Sequence, residues 1–389
     1  MSGEAELPRV LVLHNRYRSQ GGEERAAAEL AALLRDRGHT VKLLERHSEQ
    51  LTRVSGRLRA GAAMLRGGLA PGEVSDAVRE IGADVVHAHN TVPLLGPRAL
   101  AAARAAGARV VMHLHNYRLV CAIGIAYRDG APCTRCQGRN TWPGARLRCR
   151  GNVPEALTYA AGISLQQRRV LDAVDRFVLT SQGSERVLAE LGLPLTDYDV
   201  IPNFLPDSAF AERSTADSGG YALYAGRLAE EKGVDTAIDA AKRAGVPLAI
   251  AGEGPDEPRL RRLAGEADAD VRFLGQLDAA ALAAAREGAA VAVVPSRWHE
   301  PHPYAVCESM AAGLPVLVSR IGGLPEIAGD DSTVPPGDAE AWENALRDLW
   351  SDPKLRRKRG EAALNRARER FAADGYYERL MACYRAALA

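Results

Sequence analysis

What the sequence lacks narrows it first. No run of about 18 apolar residues is present, so no segment is long enough to cross a bilayer as a helix. The opening M-S-G-E-A-E-L-P lacks the basic-then-apolar order of a secretory leader. Net charge is missing too: 50 Lys and Arg stand against 49 Asp and Glu, so no whole-molecule field draws the chain to nucleic acid or lipid. Cysteine is scarce and poorly spaced for a disulfide scaffold, with Cys307 and Cys383 standing alone among six. These absences point to a soluble, cytoplasmic protein with no nucleic-acid partner, in which any attraction to a charged surface is local.

What is there is length and alternation. A chain of 389 residues exceeds one ordinary core and favours two domains of roughly 150 to 200 residues each. Short β-branched runs alternate with longer helical patterns, as parallel sheets covered by helices require, so the class is α/β. In the first half R-V-L-V-L-H from Arg9, A-D-V-V-H-A from Ala83, A-R-V-V-M-H from Ala108 and D-R-F-V-L-T from Asp175 read as strands. The run E-E-R-A-A-A-E-L-A-A-L-L-R-D-R-G reads as a helix stopped at Gly38. Periodicity fades from Asn203 to Gly220, where Ser, Asp and Gly accumulate. Five more strands then follow, from Tyr221, Pro247, Val271, Val291 and Pro315. The expected division is a first domain over 1–203 with a cysteine-rich insertion near 116–152, a linker over 204–220, a second domain over 221–370, and a final helix over 371–389.

In open α/β sheets ligands bind beyond the carboxyl ends of the strands, so the strand exits carry the functional reading. Gly21 and Gly22 follow the first strand and precede a helix, where backbone amides can approach a phosphate; a permissive turn is the competing account. Arg227 and Lys232 flank the turn after the strand from Tyr221. A guanidinium and an ammonium there suit two linked phosphates, against the alternative of ion pairs with Glu230 and Glu231. The stretch E-P-H-P-Y-A-V-C-E sets Glu300 in a loop and Glu308 one turn into a helix closed by Gly313. Amides at that helix N-terminus can receive an anion, while the two carboxylates can accept hydroxyls, a pairing that fits a ligand carrying both phosphate and sugar. D-Y-D at Asp197 and D-A-D at Asp268 precede strands, at the wrong sheet edge for a metal and diphosphate, and read as solvated turns.

In this order G-R-L-A-E-E-K-G, I-A-G-E-G-P, F-L-G, P-S-R-W-H-E-P-H-P-Y-A-V-C-E-S-M-A-A-G-L-P-V and I-G-G-L-P-E-I resemble the retaining GT-B glycosyltransferases of family 4, group 1 type. The likeness covers the second half closely. In the first half it is looser, carried by Gly21-Gly22, H-A-H-N, H-L-H-N and V-I-P-N. It implies a GT-B fold of two Rossmann-like, doubly wound domains facing a central cleft. It further implies transfer of a sugar, with retention, from a nucleotide-diphosphate sugar to an unidentified acceptor, either small molecule or glycan. By resemblance Arg227 and Lys232 hold the diphosphate, Glu308 accepts ribose hydroxyls, Glu300 faces the transferred sugar, and His115 contacts the sugar from the first domain. Gly252 and Gly254 leave room for the nucleotide, with Gln276 and Leu277 near the base and His302, Tyr304 and Ala305 beside the donor. No cofactor or divalent metal is implied for catalysis, and no catalytic base is named. Pro301, His302 and Pro303 depart from the glycine and phenylalanine common after the first Glu, which points to a differently supported donor sugar. A GT-B sugar-nucleotide epimerase or a sugar phosphorylase is the alternative enzyme class. A dinucleotide oxidoreductase is disfavoured, because the first strand leads to G-G and only Glu45 stands near a ribose position.

One insertion is left over. Cys121, Cys133, Cys136 and Cys149 cluster within it, and C-x-x-C at Cys133 has the spacing of a metal knuckle. A structural zinc, two disulfides and four free thiols compete, and zinc would fix a long loop with little core of its own. Arg135, Arg139, Arg146, Arg148 and Arg150 follow without an intervening acid, and an amphipathic basic helix is expected from Arg53. Weak association with a membrane surface is one reading of these cations, a solvated face the other.

Overall fold

A computed structural model describes residues 7–16, 21–47, 54–266 and 270–389. Arg53 and Asp268 lie outside them. Two parallel six-stranded sheets form, each from one half of the chain. The first holds β1 (Val10–Arg16), β2 (Val41–His47), β3 (Val85–Ala88) and β4 (Arg109–Leu114). A two-residue hairpin, β5 (Tyr127–Arg128) and β6 (Ala131–Pro132), interrupts before β7 (Arg176–Leu179) and β8 (Tyr198–Val200) complete it. The second sheet comprises β9 (Ala222–Ala225), β10 (Leu248–Ala251), β11 (Val271–Gly275), β12 (Val291–Val294), β13 (Val316–Ser319) and β14 (Thr333–Val334).

Strand order is β2-β1-β3-β4-β7-β8 in one sheet and β11-β10-β9-β12-β13-β14 in the other. Each therefore reverses direction beside its first strand, and the crevice of each doubly wound sheet opens there. The strand exits of both sheets line one cleft of about 1610 Å³. Apolar runs such as Val10–Leu13 and Val291–Val294 are wholly buried, as strands covered on both faces must be.

Local signals explain the helix boundaries. Glu24 accepts the Gly21 amide at 2.9 Å and so starts the helix Gly22–Asp36. Asn152, Ser181, Asp278, Asp338 and Asp352 each cap a helix through a side-chain oxygen. Gly313, at φ +76°, follows the helix Tyr304–Ala311.

Three expectations need amending. Residues 204–220 do join the sheets, but they are sewn to the second domain: Leu205 and Ala216 are fully buried, and the Arg356 guanidinium donates to the carbonyls of Ala216 and Asp217. Asp199 of D-Y-D is no solvated turn, because it lies in β8 and takes a forked contact from Arg176, 3.1 Å on one arm. Two of the five insertion arginines meet acids from outside their run: Arg135 lies 3.4 Å from Asp129, and Arg150 lies 2.7 Å from Glu155 and stacks on Tyr159.

The last helix, Ala373–Leu388, lies on the first domain. Its Leu380, Met381 and Tyr384 share a core with Val10, Val12, Leu30 and Leu34. No helix among the described residues is long and apolar enough to cross a membrane.

Candidate active site

The cleft floor is built around the two carboxylates of E-P-H-P-Y-A-V-C-E. Glu300 follows β12 and is 3 % exposed. Its Oε1 takes the Lys232 ammonium at 2.6 Å and the Ser296 hydroxyl at 2.7 Å. Its carbonyl accepts the Gly323 amide at 2.8 Å, which fixes the loop. Lys232 also lies 5.1 Å from the centre of the Trp298 ring, so the cation is held against an aromatic face as well as a carboxylate.

Glu308 anchors the other end. It pairs with Arg286, a buried guanidinium from the helix Ala279–Glu287, and with Arg25 from the first domain. Arg25 in turn lies 2.6 Å from Glu29 and 4.2 Å over the Tyr304 ring. Burial pushes the Arg286 pKa down, and the Glu308 charge opposes that shift. Between the carboxylates, the N-terminus of the helix Tyr304–Ala311 opens onto the cleft, with Tyr304 and Ala305 at its rim.

Arg227 and Lys232 both line the cleft, but each meets a carboxylate: Arg227 pairs with Glu231, as the ion-pair alternative held, while Lys232 turns to Glu300 rather than to Glu230. The Gly21 amide serves the Glu24 cap, so it is engaged within the chain; Gly22 abuts the Tyr304 ring, 3.3 Å from where a β-carbon would stand. Gly252 and Gly254 answer to backbone packing. A β-carbon at either would fall inside 3.0 Å of the carbonyl of Gly226 or Leu228, so the space is filled by the neighbouring turn. Gln276 and Leu277 lie on the cleft wall. The His302 ring points to Cys307 (3.6 Å) and stands edge-on to Phe371, with burial pushing its pKa down to about 3.

From the first domain, His115 reaches the cleft with Nε2 2.9 Å from His89 Nδ1. Burial, with help from His14, His87 and His302, pushes its pKa down to about 3 and holds it neutral. Asn116 beside it donates to Glu23 at 3.1 Å. Besides the Arg25–Glu308 pair, hydrogen bonds bridge the domains: the Tyr117 hydroxyl donates to the His299 carbonyl at 2.8 Å, Asn203 donates to the His302 carbonyl at 3.2 Å, and the Tyr304 hydroxyl donates to Glu29 at 3.1 Å. Sequence reading missed Arg25, Arg286, Ser296 and Trp298. Only Ser296 and Trp298 carried a signal, as neighbours of Glu300 in the β12 exit.

All six cysteines are free. Burial, then Cys121, Cys149 and Cys133, push the Cys136 thiol up to about 11, but among the described residues no three of the four insertion thiols come within 4.8 Å of one another.

Residues 208–366 match the glycosyl transferases group 1 model, and residues 21–203 match the glycosyl transferase 4-like domain. Glycogen synthase of Mycobacterium tuberculosis is 35% identical over 210 residues, 49% of each chain. D-inositol 3-phosphate glycosyltransferase of Pseudarthrobacter chlorophenolicus is 30% identical over 243 residues, 56% of each. The chain thus spans about half the length of these curated relatives. Among solved structures, sucrose-phosphate synthase from Thermosynechococcus elongatus superposes with a TM-score of 0.73 at 19% identity, covering 97% of this chain and 98% of that one. Anabaena HepE in complex with UDP-glucose gives 0.64 at 16% identity, covering 96% and 98%. The GT-B arrangement of the two sheets is common to them.

Proposed function

We propose that this chain, which belongs to the group 1 glycosyl transferases, moves a sugar from a nucleotide-diphosphate sugar to an acceptor hydroxyl with retention of anomeric configuration. One observation carries the reading: two carboxylates, the buried Glu300 and the half-buried Glu308, stand at the ends of a helix N-terminus and each is held by cations. A nucleotide sugar offers hydroxyls to both carboxylates and a diphosphate to the amides and cations between them. Glu308 would accept the ribose, Glu300 the transferred sugar. Gln276 and Leu277 would border the base, and Arg227 and Lys232 would take the diphosphate. The UDP-glucose in the HepE structure makes uridine the first base to try.

In the reaction the bond from the anomeric carbon to the phosphate oxygen breaks, its electron pair leaving with the diphosphate, and the acceptor oxygen bonds to the same carbon. The acceptor proton goes to the departing phosphate, so no side chain serves as base. Arg227 and Lys232 stabilise the charge that grows on the leaving group. His115, held neutral, offers a hydrogen bond to the sugar rather than a charge. Because side-chain cations neutralise the diphosphate, added Mg2+ or Mn2+ should leave turnover unchanged.

The acceptor side is read from the first domain. Among the described residues, six of the nine exposed large apolar side chains sit on three helices, the one carrying Val153, Leu157 and Leu165 packing against the other two, which carry Leu58 and Leu65, and Trp142. With Arg59, Arg66 and Arg168 on the same helices, they favour weak association with an anionic membrane surface. Flotation with anionic but not neutral vesicles is the expected result. The free cysteines fit a reducing, cytoplasmic setting. Structural zinc on Cys121, Cys133, Cys136 and Cys149 remains our reading of the insertion, checked by metal loss in Cys133→Ser/Cys136→Ser.

The deciding experiment is calorimetric binding of UDP, GDP, ADP and TDP, alone and as sugar conjugates, to wild type and Arg227→Ala, followed by proton NMR of the product. Selective binding of one nucleotide, weakened in the variant, and a product of unchanged anomeric configuration are expected. No binding by any of them overturns the donor site.

A further inference from the structure

Five of the nine histidines lie in a row on one face of the first sheet, under the last helix. Register puts them there. Val12 pairs with His87 and His87 with Val111, so His14, His89 and His113 follow at the same level of β1, β3 and β4, and His115 lies one step beyond. Their rings stack: His113 and His115 at 4.2 Å, His87 and His89 at 5.0 Å, His89 and His113 at 5.3 Å.

Apolar residues would fill this space without cost, yet the sheet buries imidazoles several of whose nitrogens have nothing to bond. His87 Nε2, His89 Nε2 and both ring nitrogens of His113 are buried without a hydrogen-bond partner. An unmet buried polar group costs on the order of 1–3 kcal/mol, so several together need an explanation. The ligand atoms of His87, His89 and His113 lie within 4.8 Å of one another. A tetrahedral ion with Zn–N of about 2.0–2.1 Å spaces its ligands about 3.4 Å apart, so a small turn of each ring closes the set.

We propose that His87, His89 and His113 bind one first-row transition ion, zinc in the first instance, as a buried positioning site behind the cleft. The outer contacts suit it. His87 Nδ1 meets the Tyr384 hydroxyl at 2.8 Å and His89 Nδ1 meets His115 Nε2 at 2.9 Å, so in each ring Nδ1 is engaged and Nε2 is left without a hydrogen-bond partner. A metal on His89 Nε2 leaves the proton on Nδ1, which then donates to His115 Nε2. His115 must in turn carry its own proton on Nδ1. The ion thus sets the tautomer of the histidine that faces the donor sugar in the proposed reaction, and through Tyr384 it ties the last helix to the sheet. The tautomer consequence rests on that reading of His115; the site itself does not.

The test is a Co2+ titration of the chelator-treated full chain carrying Cys133→Ser/Cys136→Ser, which removes the proposed cysteine site, with Zn2+ melts in parallel. The expected spectrum has visible d–d bands without the intense near-ultraviolet thiolate band that a cysteine site adds, and those d–d bands disappear when His113→Asn is added. Zinc at a hundredfold excess over its Kd should raise the Tm of the cysteine variant by about 5 °C or more. Absence of d–d absorption in the cysteine variant, or d–d bands unchanged once His113→Asn is added to a chain that still folds, would each overturn the proposal. If the chain with His113→Asn does not fold, the spectrum of the cysteine variant decides alone. Donor binding by calorimetry reports separately on the active site, so failure of one reading leaves the other standing.

Discussion

Glu300→Gln is the substitution that separates the roles proposed for the cleft. In the cleft the Glu300 carboxylate holds Lys232 at 2.6 Å and Ser296 at 2.7 Å, almost wholly out of water. For Lys232 to reach a diphosphate it must leave Glu300, and a buried carboxylate then loses a charge-assisted hydrogen bond of about 1.5–3 kcal/mol. Sugar hydroxyls restore that bond when the whole donor binds; a nucleoside diphosphate alone cannot. Glutamine keeps the shape and removes the charge, so Lys232 is released at little cost. We expect the nucleoside diphosphate to bind about 10-fold tighter or more to Glu300→Gln than to wild type. Turnover with the sugar nucleotide should fall about 100-fold, because the carboxylate no longer faces the positive charge developing on the sugar. Calorimetry and initial rates on the same preparations read both numbers. Diphosphate affinity that is unchanged or weaker in Glu300→Gln would refute the exchange of Lys232 between carboxylate and phosphate.

Other substitutions probe the frame. Glu308→Ala strands the buried Arg286 guanidinium and should cost about 3 kcal/mol, a fall of roughly 6–12 °C in Tm by calorimetry. Adding Arg286→Met to Glu308→Leu should recover most of that stability. Gly252→Ala puts a methyl group against the Gly226 carbonyl at φ +132° and should lose about 3 kcal/mol or more, read as a lower urea midpoint. His302 has a folded pKa near 3 against an ordinary value of 6.5, so between those values the unfolded chain binds more protons. Its contribution is intact above pH 6.5 and is lost as pH falls toward 3, amounting to about 2 kcal/mol by pH 5. Urea curves of His302→Gln against wild type at pH 7 and pH 5 should converge by that amount.

Much of the fold was legible because the strand signals are local. Val10–Leu13, Val85–Val86, Val291–Val294 and Val316–Val318 are continuous apolar runs, and each became a buried central strand. The edge strands β2 and β14 were harder to read: Val41–His47 mixes charges among its apolar residues, and Thr333–Val334 is only two residues long. In the site, Glu300, Glu308, Arg227 and Lys232 were visible at strand exits and a helix start. Arg286 was not, because on an alanine-rich helix it reads as a solvated residue; it is buried only because Glu308 arrives from the next helix. Arg25 was hidden for a similar reason, its partner lying 283 residues away in the other domain. The histidine row falls between these cases. Each H-x-H announces a strand exit, but their convergence needs the register of β1, β3 and β4, which no single segment encodes.

These long-range partners decide how the two halves can move. The chain crosses between the domains twice, near Asn203–Leu205 and near Phe371–Ala373, and the crossings are tied by the Leu205 amide on the Phe371 carbonyl at 2.8 Å. Rotation about that pair would leave both sheets intact and part the contacts between the domains: Arg25 from Glu308, and Tyr304 from Glu29. A ribose bonded to Glu308 competes with Arg25 for the same carboxylate. The charge that ties the domains across the cleft is therefore the one the proposed donor must displace, which couples nucleotide entry to domain opening without any separate lid.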